Sequence, residues 1–133
     1  MEVIADTSAI VAVILNEPEK ERIISQTVGY KEIIAPESVI YEIGNAFSAM
    51  LKRNRLNVDS VTKAIRIFNK MPLKFVKPNL KNALKISAAH NIYAYDAYII
   101  ECSVRYKKPL VTLDKRLAAI AGSYHIDVLE VRT

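Results

Sequence analysis

The sequence predicts an α/β fold in which a mainly parallel sheet is covered by helices on both faces. Short apolar runs of strand length alternate along the chain with longer segments of helical periodicity. Parallel strands need crossover connections, and the helices between them supply these. Because the 133 residues contain no linker, repeat or low-complexity segment, we expect a single domain over residues 1–133.

Five apolar runs are predicted as the strands of this sheet. Each is short and is bounded by polar residues or proline, as buried strands of α/β proteins usually are. Pro78 follows the third run closely, and proline cannot donate to a strand ladder. The predicted strands cover residues 3–5, 32–36, 73–76, 109–114 and 126–131.

Seven segments beside these strands are predicted as helices. Pro18 suits the first turn of the second helix, where its missing N–H is not needed. The third helix is long and amphipathic and ends in cations, which the helix dipole favours there. Asn57 or Asp59 lies near the start of the fourth, and Gly122 closes the seventh. The predicted helices cover residues 7–15, 18–27, 36–55, 57–71, 79–91, 95–108 and 114–122.

The composition is compatible with a polyanionic partner and argues against a membrane protein. The formal net charge is +5 at pH 7, and the pI is about 9.3. The longest wholly apolar stretch, residues 9–15, is far shorter than the roughly 20 residues of a membrane span. The N-terminus lacks the basic region and cleavage site of a secretory signal, so we expect a cytoplasmic protein.

Two aspartates lie at the carboxyl ends of predicted strands. Asp6 follows the first strand, and Asp114 ends the fourth, two residues after Thr112 on the same side of the strand. In open parallel sheets, functional sites form beyond this edge. Each aspartate also precedes a predicted helix, so helix capping is the alternative role for each.

Two further acids are predicted to approach the same region from helices. Glu42 falls just outside the apolar arc of the third helix, where a solvated boundary glutamate is the alternative. Asp96 shares the inward face of the sixth helix with Ile99 and Ile100. An inward carboxylate needs a partner, and capping of the helix is again the alternative.

Together the four acids predict a site for a hard divalent cation. Carboxylates gathered at one edge repel one another and raise one another's pKa values unless a cation joins them. Oxygen ligands suit Mg²⁺ or Mn²⁺, which keep some water ligands and contact substrate phosphates. Such ions support hydrolysis of phosphodiester bonds, so we predict a metal-dependent nuclease.

Four stretches of the sequence carry a resemblance to a known family. They are "IADTSAIVAVILNEP", "APESVIYEIGNAF", "YAYDAYIIECSVRYKKPLVTLDKRL" and "HIDVLEV", which are distributed along the chain from residue 4 to residue 131. Their residue types, order and spacing resemble those of PIN-domain ribonucleases, specifically the VapC-type toxins of toxin–antitoxin pairs. The resemblance implies a three-layer α/β/α sandwich, here with a central, mainly parallel five-stranded sheet.

The resemblance also implies an endoribonuclease with an acidic pocket that binds Mg²⁺ or Mn²⁺. The implied catalytic and metal-binding residues are the four acids, Asp6, Glu42, Asp96 and Asp114. The implied supporting residues are four polar side chains: Thr7 or Ser8 beside the first acid, Asn45 and Thr112. The implied partners are an RNA substrate, a second copy in a homodimer, and a small antitoxin protein that occupies the pocket. The stretch "YAYDAY" has a tyrosine where many relatives have serine or another small residue.

Two other functions remain open within the same family. One is an RNA-processing nuclease without an antitoxin, and the other is a scaffold that binds RNA or protein without cleavage. A receiver-like signalling domain fits poorly, because it needs an adjacent acidic pair after the first strand. Here Asp6 is followed by Thr7 and Ser8.

Overall fold

A parallel sheet runs through the centre of the computed structural model, which describes residues 1–132. Its strands are β1 (Glu2–Ala5), β2 (Glu32–Pro36), β3 (Leu73–Val76) and β4 (Leu110–Val111). Within the described residues their order in the sheet is β3-β2-β1-β4, and each neighbouring pair is parallel. The α/β class and the parallel sheet predicted from the sequence are confirmed.

Helices connect successive strands and follow the last one. They are α1 (Thr7–Ile14), α2 (Lys20–Thr27), α3 (Ser38–Lys52), α4 (Val58–Lys70), α5 (Leu80–His90), α6 (Ala94–Tyr106) and α7 (Lys115–Ser123). Four begin after a side chain that accepts a hydrogen bond from a first-turn N–H: Asp6, Asn57, Asn79 and Asp114. Across residues 1–132, none of the helices combines the length and the apolar composition needed to span a bilayer.

Both faces of the sheet are buried. Successive residues of a strand point to opposite faces, yet Val3, Ile4 and Ala5 are all at most 3% exposed. The helix α6 packs on β1 and β2, and side chains of α1 and α2 meet Ala5 and Val111 around a small apolar cavity. Such double coverage is what makes strands of a parallel sheet continuously apolar.

The sheet has four strands where the sequence analysis predicted five. Of residues 126–131, only Val128 pairs with the sheet, in a single parallel bridge to Leu110. The predicted fourth strand, residues 109–114, is itself reduced to Leu110–Val111. After these two residues the chain turns towards α7, and the bridge to Val128 consists of two hydrogen bonds, from Leu110 N to Asp127 O and from Leu129 N to Leu110 O. The prediction of a five-stranded sheet is therefore wrong.

The register of β1 against β4 brings two predicted site residues together. Ala5 pairs with Val111, so the residues that follow them, Asp6 and Thr112, emerge side by side at the carboxyl edge of the sheet. Asp6 N donates to Val111 O at 3.3 Å, which extends the pairing by one step. Residues from chain positions more than 100 apart thus become neighbours where parallel sheets place their ligands.

Glu101, on α6, is a buried acid with a structural role. It is 3% exposed, and it accepts hydrogen bonds from Asn79 N and from Arg105 Nε, each at 2.8 Å. Arg105 also donates through Nη2 to Lys77 O at 2.8 Å. The ion pair therefore ties the segment between β3 and α5 to α6.

Replacing Glu101 should destabilise the fold, because Asn79 N–H and the Arg105 guanidinium would lose their acceptor. Arg105 is partly exposed and water can reach it, so we expect Glu101→Ala to cost about 2–3 kcal/mol, below the usual figure for a broken buried pair. Urea unfolding followed by circular dichroism measures this loss.

The matched control is Glu130→Ala. Glu130 pairs with Arg132 at 3.7 Å on the surface, and exposed pairs contribute at most about 1 kcal/mol. Equal losses in the two variants would contradict a structural role for Glu101.

Candidate active site

Asp6 is a buried carboxylate held by several donors at the end of β1. It is 5% exposed, and Ala9 N donates to Oδ1 at 3.0 Å, which makes Asp6 the cap of α1. The Ser8 hydroxyl lies 2.8 Å from Oδ1 and 2.9 Å from Oδ2, and Thr112 donates to Oδ2 at 2.5 Å. Burial raises the pKa of Asp6, and these hydrogen bonds offset the rise only in part.

Ser8 and Thr112 connect this corner to the start of α7. Leu113 N donates to Ser8 Oγ at 3.0 Å, and Asp114 N donates to Thr112 Oγ1 at 3.0 Å. Leu117 N donates to Asp114 Oδ1 at 3.0 Å, so Asp114 caps α7. The capping alternative therefore holds for both strand-end aspartates, and each of them also faces the site.

Glu42 approaches the same corner from α3, at the border of the buried face of that helix. Its Oε1 is shielded from solvent and has no hydrogen-bond partner. Burial raises the pKa of Glu42 to about 7; the nearby Thr7 hydroxyl opposes this rise, and the carboxylates of Asp6 and Asp96 add to it. Because Thr7 Oγ1 is also unpartnered, the two groups are close without forming a well-aligned hydrogen bond.

Asp96 lies half-buried in the first turn of α6. It does not cap this helix, since Tyr93 occupies the cap position and no side chain bonds the first-turn N–H groups. Burial raises the pKa of Asp96, repulsion from Asp114 adds to the rise, and the Arg116 cation lowers it. The capping alternative raised for Asp96 thus lacks support in the structure.

The four acids line one cavity of about 440 Å³ at the carboxyl edge of the sheet. Thr7 and Ser8 line it as well, while Thr112 bonds Asp6 from the adjacent strand end. The apolar part of the wall consists of Val11, Ala46, Ile99 and Leu113. The pKa rises at Asp6, Glu42 and Asp96 each include repulsion from another of the four carboxylates. The sequence-predicted acids are therefore both near one another and electrostatically coupled.

Glu17 is a fifth acid in the cavity wall, and the sequence analysis did not identify it. It follows Asn16, whose positive φ of 55° turns the chain after α1. The "NEP" turn signal is visible in the sequence, but such a signal does not say which way the turn faces. Asn45, by contrast, is exposed and is not among the lining residues.

The donor chemistry of the cavity fits a hard divalent cation. Its polar atoms are carboxylate and hydroxyl oxygens, and the buried Oε1 of Glu42 is an acceptor without a partner. As they stand, however, no three acidic, histidine or cysteine side chains within residues 1–132 are grouped so that they could hold one ion. Asp6 and Asp114 are instead engaged by hydroxyl and amide donors. Holding an ion would require the carboxylates to draw closer together.

The chain is similar to known proteins over most of its length. The model of the PIN domain family matches residues 3–123. The chain is 26% identical over 125 residues to Ribonuclease VapC3 of Pyrobaculum aerophilum, a match that covers 89% of this chain and 93% of that protein.

Two solved structures share the fold. PAE2754 from Pyrobaculum aerophilum superposes with a TM-score of 0.73 at 20% identity and covers 98% of this chain and 85% of its own. VapBC2 from Rickettsia felis, bound to a fragment of promoter DNA, gives a TM-score of 0.68 at 16% identity and covers 96% of this chain and 97% of its own. At these identities the likeness establishes the fold alone.

Neutralising Glu42 should stabilise the metal-free protein above neutral pH. Its folded pKa of about 7 exceeds the unfolded value of 4.5, so ionisation costs folding free energy. The cost is absent below pH 4.5, grows as the pH rises towards 7, and is complete above that. We expect the free energy of unfolding of Glu42→Gln to exceed that of the native chain by about 1–3 kcal/mol at pH 8 and to differ little from it at pH 4.

Urea unfolding in EDTA at a series of pH values measures this difference. Asp127→Asn controls for the loss of one negative charge. Asp127 is exposed and directly precedes Val128, the residue that pairs with Leu110 of β4. A Glu42→Gln effect that is independent of pH would contradict the burial of this carboxylate.

Proposed function

The chain belongs to the PIN domain family, and from that premise we propose that it is an endoribonuclease that requires Mg²⁺ or Mn²⁺ and acts as the toxin of a toxin–antitoxin pair. The observation that carries the proposal is the cavity at the sheet edge, which is lined by four carboxylates and where repulsion from a neighbouring carboxylate adds to the raised pKa values of Asp6, Glu42 and Asp96. The likeness to Ribonuclease VapC3 over 89% of the chain supports a nuclease. Together they favour hydrolysis of RNA phosphodiester bonds.

The residues that would hold the ion are Asp6, Glu42, Asp96 and Asp114. Asp6 is already oriented, because Ser8 and Thr112 fix both of its carboxylate oxygens. Glu42 and Asp96 project from α3 and α6, so the site closes only when helices and strand ends are packed together. When bound, a divalent ion supplies a Lewis acid and lowers the pKa of a water molecule.

The rest of the chain is suited to a polyanionic substrate. The net charge is +5 even with the site acids counted, so the surface outside the cavity is strongly basic. Lysine and arginine contacts to phosphates supply most of the non-specific affinity of nucleic-acid-binding proteins. Under this proposal RNA is held by the basic surface, while the acids act on one phosphate at the cavity.

We propose two protein partners for the chain. The relative from Rickettsia felis is described as VapBC2, a complex with a promoter DNA fragment, and this supports a small antitoxin as partner here. A second copy of the chain in a homodimer is proposed on the family resemblance. An RNA substrate and an antitoxin both imply a cytoplasmic protein. The alternative, an RNA-processing nuclease without an antitoxin, shares the same site.

The purified chain should cleave single-stranded RNA in Mg²⁺ or Mn²⁺ and stop when EDTA is added. Gel electrophoresis of labelled RNA, with the metal restored after chelation, measures both halves of this prediction. Cleavage that survives EDTA would exclude the proposed chemistry, and binding without cleavage would favour a non-catalytic scaffold.

Asp96→Asn should reduce the cleavage rate at least about 100-fold, because loss of a direct ligand exceeds the 10–100-fold effect of an outer-shell partner. Glu42→Gln should do the same. Calorimetric titration with Mn²⁺ should show weaker binding in both variants, whereas Asp127→Asn should match the native chain in rate and affinity. Unchanged metal affinity in Asp96→Asn and Glu42→Gln would mean that the site is assigned wrongly.

A further inference from the structure

Two large aromatic side chains are exposed at the N-terminus of α6. Tyr93 is 88% exposed and Tyr95 is 50% exposed, although tyrosine usually buries its ring and leaves only its hydroxyl in water. They precede Asp96 by three residues and by one residue. Tyr93 holds the cap position of α6 but its side chain makes no capping hydrogen bond. Neither core packing nor helix capping accounts for the exposed rings.

The ring of Tyr95 is held in place by a neighbour. It meets the ring of Tyr98 at a centroid distance of 6.1 Å and an interplanar angle of 73°, which is an edge-to-face contact. Tyr98 in turn packs against the hydrophobic core. Because the ring is supported before any ligand arrives, a flat partner that stacks on it loses little conformational entropy.

A cationic side chain lies at the connection between α5 and α6. Arg116, near the start of α7, donates through Nη2 to His90 O at 3.1 Å and to Asn91 O at 3.3 Å. His90 is the last residue of α5 and Asn91 is its C-cap, so both carbonyls lie in the short connection that leads to Tyr93. The guanidinium has further N–H groups beyond the nitrogen used here, and arginine is well suited to contact a phosphate. The guanidinium is therefore held at the turn between α5 and α6, and the exposed rings belong to residues that shortly precede Asp96, which lines the acidic cavity.

We propose that Tyr93 and Tyr95 stack on bases of single-stranded RNA next to the acidic cavity, with Arg116 contacting an adjacent phosphate. The inference rests on the proposed ribonuclease function and adds to it the surface that positions the strand. Bases must be unpaired to stack on a protein side chain, so the substrate is single-stranded at this point. Stacking tolerates any base, because every base has a flat π-face. The tyrosines thus hold the strand without dictating its sequence.

The test measures affinity in EDTA, where cleavage does not interfere. Fluorescence anisotropy compares a labelled single-stranded RNA with an abasic oligonucleotide of the same length, which keeps the phosphates and lacks the bases. We expect Tyr93→Ala and Tyr95→Ala each to weaken binding of the intact RNA by about fivefold or more and to leave binding of the abasic probe unchanged. Tyr93→Phe and Tyr95→Phe keep the rings and should bind as the native chain does.

Two further readouts separate stacking from other causes. Replacing one base with 2-aminopurine should give a fluorescence change on binding to the native chain that is smaller in Tyr93→Ala. The slope of affinity against salt should stay constant in the tyrosine variants and become shallower by about one ion in Arg116→Gln. Circular dichroism melting shows whether each variant folds.

The outcomes distinguish this inference from the proposed function. Loss of affinity for intact RNA alone supports stacking, whether or not the native chain cleaves RNA in Mg²⁺. Equal losses for the intact and abasic probes overturn it, because the tyrosines would then contact only the backbone. Unchanged RNA affinity in both alanine variants also overturns it and would point to a protein-docking surface instead.

Discussion

The hydrogen bond from Thr112 to Asp6 is the interaction on which the site depends. It joins the ends of two neighbouring parallel strands, and Ser8 completes the junction by contacting Asp6 and accepting from Leu113 N. The same few atoms cap α1, orient a buried carboxylate and start the turn towards α7. Because structure and site share these atoms, Asp6 cannot be moved without loosening two helix starts.

The cavity stores unfavourable electrostatics in the metal-free protein. Buried carboxylates repel one another, and three of them have raised pKa values. Perturbed groups of this kind concentrate at functional sites, since a core selected only for stability would avoid them. Glu101 makes the contrast clear: it is more deeply buried than Glu42, yet a guanidinium and an amide satisfy it. Glu101 thus stabilises the fold, whereas Glu42 has a buried carboxylate oxygen without a hydrogen-bond partner.

The segment around the N-terminus of α6 contributes residues to the core, to the surface and to the cavity. Between residues 92 and 99 the chain places a buried isoleucine, exposed rings, a half-buried acid and a cavity-lining side chain. The cation of Arg116 reaches this segment from α7 and lowers the pKa of Asp96 against the larger effects of burial and of Asp114. The site is therefore held from the sheet edge, from α3, from α6 and from α7.

The pattern of the sequence by itself determined the α/β class, the parallel sheet and the places of Asp6 and Asp114 at the carboxyl ends of strands. It predicted that Glu42 and Asp96 approach the same region from helices, but it left a capping or solvated role open for them. Local pattern carries this information, because a carboxylate after a buried strand can only emerge at the carboxyl end. What the tertiary structure decided lies in long-range packing. The shortening of β4 and the position of Glu17 in the cavity wall depend on where the chain turns, and the exposure of Asn45 depends on which elements pack against α3. No local pattern encodes the direction of a turn, since neighbours distant in sequence set it.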